Sequence, residues 1–249
     1  MDSALVSPSP FRANVIDAPS AQLLARPALE SFSPGESVPE SGQRLPPDAD
    51  AVRVKINTVQ VMQGLEPGFL GLAPAKGVYL VTSVVDGISE QPVTFNGQVH
   101  ERVKNGDVLP IGTEGGRDQP LNVYLKEGGL PSILGMSVVV FRSNENLRQF
   151  GGLIAEVTAD KRYEQLTSII ATAAKAAVPA YGIIFQAANE IIGLVGSLLK
   201  ATPDEQLGYY EARFTRRFDA LGVGHHPPEG VGNTVAVGRV RLAYQVDVA

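Results

Sequence analysis

The sequence predicts a mainly β fold: an antiparallel β-sandwich with a helical hairpin insertion and an extended N-terminal arm. Three observations point there. From Ala51 onward, apolar residues recur at every second position in several short runs, the period of a strand with one buried face. Between Tyr163 and Lys200 the spacing changes to three and four, the stripe of an amphipathic helix. Residues 1–50 follow neither period and are rich in Pro, Ser and Ala.

Composition sets the outer limits. The chain has 249 residues, no Cys, no Trp, three His and a formal net charge of -5. Without Cys there is no disulfide framework, no thiol nucleophile and no thiol-linked lipid. Twenty-one basic residues in a net negative chain do not make the concentrated positive surface that nucleic acid requires, so no nucleic-acid partner is expected. A hydrophobic fraction of 44% is enough for a real core, and the length suits one large domain or two small ones. Met1 to Ser20 has no basic start leading into a long apolar run, and no stretch of 18 apolar residues occurs anywhere. A cytoplasmic protein is expected on that basis, with the membrane periphery as the alternative.

The domain division follows the shifts in pattern: an arm over 1–50 and a sandwich domain over 51–249 carrying a helical insertion at 163–200. Ser7-Pro8, Ser9-Pro10, Ser33-Pro34 and Pro46-Pro47 interrupt the arm, because Pro lacks a backbone donor and restricts the residue before it. One apolar island, Ala21 to Leu29, stands out. It reads either as part of a flexible leader or as a segment docking Leu23, Leu24 and Leu29 onto a neighbouring subunit.

The strands come next. Val52, Val54 and Ile56 alternate with Arg53, Lys55 and Asn57; the phase then slips before Val59 and Val61, which predicts a bulge near Asn57-Thr58. Val78 to Val85 is apolar on both faces, as in a central strand. Asn96-Gly97 and Asn105-Gly106 tolerate the positive φ of tight turns and predict successive hairpins around Gln98–Lys104. Leu121, Val123 and Leu125 alternate with polar neighbours, Met136 to Phe141 is apolar, and Tyr209 to Phe214 leans to strand. At the end Val240, Leu242, Tyr244, Val246 and Val248 share one face.

In the helical stretch, Leu166, Ile169, Ile170, Ala173 and Ala177 form one stripe, and Tyr181, Ile184, Phe185, Ala188, Ile191, Ile192, Val195, Leu198 and Leu199 another. Pro179 between them predicts two helices or a sharp bend. Thr202-Pro203-Asp204-Glu205 has the form of a capping box.

This order of elements resembles a C2 domain over Val52 to about Val157. The residues concerned are Val52–Met62, Lys76-Gly77-Val78-Tyr79-Leu80, Leu121-Asn122-Val123-Tyr124-Leu125, Met136–Phe141 and a return at Phe150-Gly151-Gly152-Leu153-Ile154. The resemblance implies an eight-stranded sandwich of the kind used for membrane docking. It does not bring a calcium site with it. The loop Gly64–Lys76 carries only Glu66 among acids, and Arg142–Asn146 has Ser143 and Glu145 where clustered aspartates would hold a hard cation. A calcium-independent version is implied.

Motifs for chemistry are sparse. His225-His226-Pro227-Pro228 could contribute to a metal site, but a rigid polar turn is the plainer expectation, since a closed site needs about four organised ligands. Neither a nucleophile elbow nor a phosphate-binding loop is present, and Gly112–Arg117 reads as a loop. Arg213–Phe218 interleaves charge with aromatics, yet Glu211 and Asp219 flank it, which predicts a salt-bridged surface element. No catalytic residue, cofactor or metal is expected.

Function is therefore read as contact rather than catalysis: a non-enzymatic binding or structural module within a protein assembly. Its partners would be proteins, copies of itself included. The contacts would come from Leu23, Leu24 and Leu29 of the arm and from Tyr181, Ile184, Phe185, Ile191, Ile192, Val195 and Leu198 of the hairpin. The alternative is a calcium-independent membrane-associating protein whose 163–200 segment meets lipid; Lys175, Pro179 and Glu190 weigh against insertion.

Overall fold

The structure is a computed structural model that describes residues 45–65, 77–86, 88, 93–112, 119–143, 150–174, 181–200, 205–227 and 234–249. Among the described residues nine strands and four α-helices follow one another: β1 (Val52–Val61), β2 (Gly77–Val85), β3 (Val93–Glu101), β4 (Leu121–Lys126), β5 (Ile133–Ser143), α1 (Phe150–Ala159), α2 (Lys161–Ala174), α3 (Tyr181–Lys200), β6 (Glu205–Thr215), α4 (Arg216–Asp219), β7 (Gly224–His226), β8 (Val235–Val237) and β9 (Val240–Val248). All pairings are antiparallel. Sheet I runs β4-β1-β9-β7, with β8 also on β9; sheet II runs β3-β2-β5-β6.

The molecule has three layers. Alternate residues of sheet II face opposite ways, and both faces are covered. Val78, Leu80 and Val84 of β2 join Leu134, Met136, Val138 and Val140 of β5 against β1, β4 and β9 of sheet I. Tyr79, Val81 and Val85, with Ile133, Val139 and Phe141, face the helices instead. Burial on both sides is why β2 is mostly apolar, with Thr82 and Ser83 its only hydroxyl side chains besides Tyr79, and every residue of it is buried.

The helices connect β5 to β6, so the excursion is the linker of one long antiparallel pair and folds back over the sheet it left. Leu153 and Val157 of α1, and Leu166 and Ile170 of α2, are spaced by four and bury one face each. On α3 the buried set is broader, from Ile184 to Val195, because it meets both sheet II and α2. Asp160 separates α1 from α2. Its carboxylate accepts from the Arg162 backbone N–H at 2.8 Å, a helix N-cap, and from the Arg162 guanidinium, which together hold its carboxyl down to about 2.

Several predicted details are revised. The β1 bulge stands where expected, between Ile56 and Thr58. Asn105-Gly106 forms a turn with Gly106 at φ 89, but Asn96-Gly97 lies inside β3, so Gln98–Lys104 is not a separate strand. There the Asn96 side chain donates to the Val123 carbonyl, a use of Asn that no turn rule anticipates. The β4 alternation also breaks: the register on β1 steps from Tyr124 to Asn122, which turns Tyr124 inward and leaves Leu125 52% exposed. Phe150–Ile154, the segment likened to a C2 return strand, begins a helix. Helix thus starts well before Tyr163, and Tyr209–Phe214 is strand within β6.

Leu45 and Ala49, placed in the predicted arm, pack against the inter-sheet core. The Asp50 and Ala51 backbone N–H groups donate to the Ala249 carbonyl at 2.8 and 3.0 Å. Thr202–Asp204, Pro179 and the loop from Thr113 to Asp118 lie outside the described residues.

Candidate functional site

Two places carry features singled out in the sequence, and a third emerges from the structure. The first is the helical layer. Ile184, Phe185, Ile191, Ile192 and Val195 are at most 7% exposed, and all belong to the core between α3 and sheet II. Their apolar surface is covered by their own sheet. Tyr181 is half-buried against the same core. Leu198 lies on α3 with its side chain outside the described set, and Leu23, Leu24 and Leu29 lie outside the described residues. No described helix is long and apolar enough to cross a membrane.

At the margin of this layer, Arg213 of β6 pairs with Glu211 and sets its guanidinium 5.5 Å from the centre of the Phe185 ring. The Tyr209 hydroxyl lies 3.3 Å from Glu211 Oε2 and 3.4 Å from Asn189 Oδ1; burial and the Glu211 charge push its ionisation upward. The basic run is a strand end, where Arg213 pairs with Glu211, followed by a helical turn on which Arg216 and Arg217 are exposed.

The second place is His225-His226. It is not a polar turn but the short edge strand β7, paired with β9 through His226↔Tyr244. The His226 ring stacks on Tyr244 at 4.4 Å between centroids and 7° between planes, and lies 5.3 Å from Phe214. Its Nε2 is 2.7 Å from the Gly222 carbonyl, which assigns the proton to that nitrogen. Tyr244 and Tyr210 share a hydroxyl–hydroxyl hydrogen bond of 2.9 Å. Burial pushes the His226 imidazole below its ordinary value and the Tyr244 phenol well above its own.

The third place was not singled out. His100 pairs with Val78, Gln98 with Leu80 and Thr94 with Val84 across β2–β3, so these side chains share the face turned to sheet I. Along the edge strand that face is polar: Thr94, Asn96, Gln98, His100. Asn96 donates to the Val123 carbonyl and Gln98 to the Ile111 carbonyl at 2.9 Å, which fastens β3 to the margin of sheet I. His100 is 7% exposed and its Nε2 has no partner; burial lowers its ionisation. Beside it an open cleft of about 270 Å³ is lined by Glu101, Arg102, Asp107 and Val108 among others. Arg102 holds φ 56, the left-handed region, where the chain turns out of β3. The signal available in the sequence was the polar period-two run opposite an apolar strand; the Asn-Gly pair within it masked that run as a turn.

Among the described residues no group of three or more His, Asp or Glu is placed to hold a metal ion. Among the described residues neither His100 nor His226 is hydrogen-bonded to a carboxylate or a hydroxyl, as a nucleophile-activating pair requires. Comparison of the chain with protein-family models and with curated proteins finds no match.

Proposed function

We propose that this protein is a non-enzymatic binding module that acts within a protein assembly, its body a C2-like scaffold and its contact made by the N-terminal arm. The observation that carries the proposal is the closure of the helical layer. With Ile184, Phe185, Ile191, Ile192 and Val195 covered by sheet II, the strongest apolar stripe in the sequence is used for folding. The apolar island at Leu23, Leu24 and Leu29 then carries the contact. Leu45 and Ala49 root the arm at the inter-sheet core, close to β4 with its exposed Leu125. The C2-like description is supported by the order of β1, β2, β4 and β5, and it is weakened by the helix at Phe150.

The membrane alternative loses ground for the same reason. Inserting the 163–200 segment would require lifting α3 from sheet II and exposing the core beneath it; among the described residues only Ile169 and Ile183 are large apolar side chains exposed on its outer face.

The test is light scattering on the full-length protein and on a full-length variant with Leu23→Ser, Leu24→Ser and Leu29→Ser together. A larger assembly that the variant reduces to single copies supports the proposal for self-association. If wild type and variant are both single-copy and behave alike in pull-downs from their native extract, the arm is not the contact.

A further inference from the structure

The chain has three histidines, none in the helical layer; His100 is buried and His226 half-buried at opposite edges of the inter-sheet core. His100 stands on β3, the edge strand of sheet II that lies over the edge strand β4 of sheet I. His226 stands on β7, at the other margin of sheet I, where its ring meets Phe214 of the opposite edge strand β6. We propose that these two imidazoles form a pH-sensitive latch: protonation in mildly acidic solution loosens sheet I from sheet II at both margins while the helices stay on sheet II. This inference goes beyond the binding function and does not depend on it.

Each site resists a proton for a reason visible in its surroundings. A buried charge is tolerated only when it is paired and hydrogen-bonded. His100 faces Val78 across β2–β3, and its Nε2 is buried without an acceptor. The charged groups of its cleft are Glu101, Arg102 and Asp107, all exposed to water on the rim. Asp107 is occupied by the Lys104 backbone N–H at 2.8 Å, and Arg102 opposes the two carboxylates. Burial is accordingly what holds the His100 imidazole below its ordinary value.

His226 is enclosed differently. Tyr244 covers one face and Phe214 approaches the ring; the Tyr244 and Tyr210 hydroxyls bond to each other and stay neutral. Nε2 already donates to Gly222, so an added proton goes to Nδ1. The neighbour on the same strand, His225, would add like charge, while Glu211 and Arg213 of β6 pair with each other, Arg213 lying over Phe185 of α3. Arg216 and Arg217 stand on the helical turn before Gly222 and offer no counter-charge. The Tyr244 ring face attracts a cation weakly, but burial outweighs that attraction.

The sign follows directly. Both folded values lie below 6.5, so above that pH the rings are neutral whether the chain is folded or not, and stability is complete. As pH falls below 6.5 the unfolded chain takes up protons first, and stability declines until the folded values are passed. Each unit of depression lowers the folding constant about tenfold. The helix–sheet core, with no histidine, lacks this dependence.

Urea unfolding of the full-length protein at pH 7.5 and 5.5, set against a His100→Leu/His226→Phe double variant, tests the latch. Wild type should lose about tenfold or more in its folding constant between the two pH values, and the double variant should lose markedly less. Hydrogen exchange of wild type, corrected for intrinsic rates, should quicken at pH 5.5 in β3, β7 and β9 and stay unchanged in α2 and α3. Should the variant not fold, histidine proton resonances of folded wild type give the same information: two rings must titrate below 6.5, with sheet amides shifting at the same midpoints. Equal losses in wild type and variant, uniform loosening of all three layers, or buried rings titrating at 6.5 or above would each overturn the proposal.

Discussion

The two faces of sheet II are buried against different kinds of partner. Toward sheet I the contact is strand on strand, and polar groups bind its margins: Asn96 and Gln98 at one edge, the His226–Tyr244–Tyr210 cluster at the other. Toward the helices the contact is mostly apolar, interrupted by buried Ser83 and Ser137 in mid-sheet and by Tyr209, Glu211 and Arg213 at the β6 side. A sheet edge exposes backbone that must be bonded or covered, whereas a helix bonds its own backbone and asks of its partner only apolar surface. That difference puts specific, directional contacts on one face and bulk burial on the other.

The comparison can be broken first by emptying the helical core. Ile191→Ala removes a fully buried side chain and should cost about 2–5 kcal/mol, read from urea unfolding. The added hydrogen exchange should appear in α2 and α3 before β1 and β9; simultaneous loss would mean that the two cores act as one. Glycines on either face of sheet II give a closer contrast. At Gly208 an added Cβ would lie 2.6 Å from the Val237 carbonyl oxygen, a backbone atom of β8, so Gly208→Ala should cost about 3 kcal/mol. At Gly135 the Cβ would meet the Phe185 ring at 3.0 Å, a side chain able to shift, so Gly135→Ala should cost about 1 kcal/mol. Thermal unfolding of the pair checks the order, and an inverted order would show that the helical face is the less yielding one. The smallest effect lies away from both cores: Asp160→Ala removes the α2 cap and should cost about 1 kcal/mol. That loss should shrink as pH falls toward 2, where the Asp160 carboxyl itself takes up a proton.

Most strands were legible because a one-sided strand writes its burial as period two. β1 with its bulge and β9 were read nearly residue by residue. The two-faced apolarity of Val78–Val85 marked a central strand, although the layer covering its second face could not be named from it. Asn96-Gly97 and Tyr124 have local propensities for turn and surface, and tertiary neighbours overrode both; Phe150–Ile154, likened to a return strand by its place in the order of elements, is helix. The helical contact residues were legible as apolar and as one stripe; nothing local could say whether their partner lay in the same chain.

The sequence alone determined that the protein is mainly β, where its apolar stripes lie and that it has no Cys and three His, because periodicity and composition are properties of the chain itself. Only the tertiary structure decided which surfaces meet. It turned the α3 stripe onto sheet II, buried His100 at one margin of the sandwich and stacked the half-buried His226 on Tyr244 at the other. Such pairings depend on contacts between residues far apart in the chain, and no local pattern encodes them.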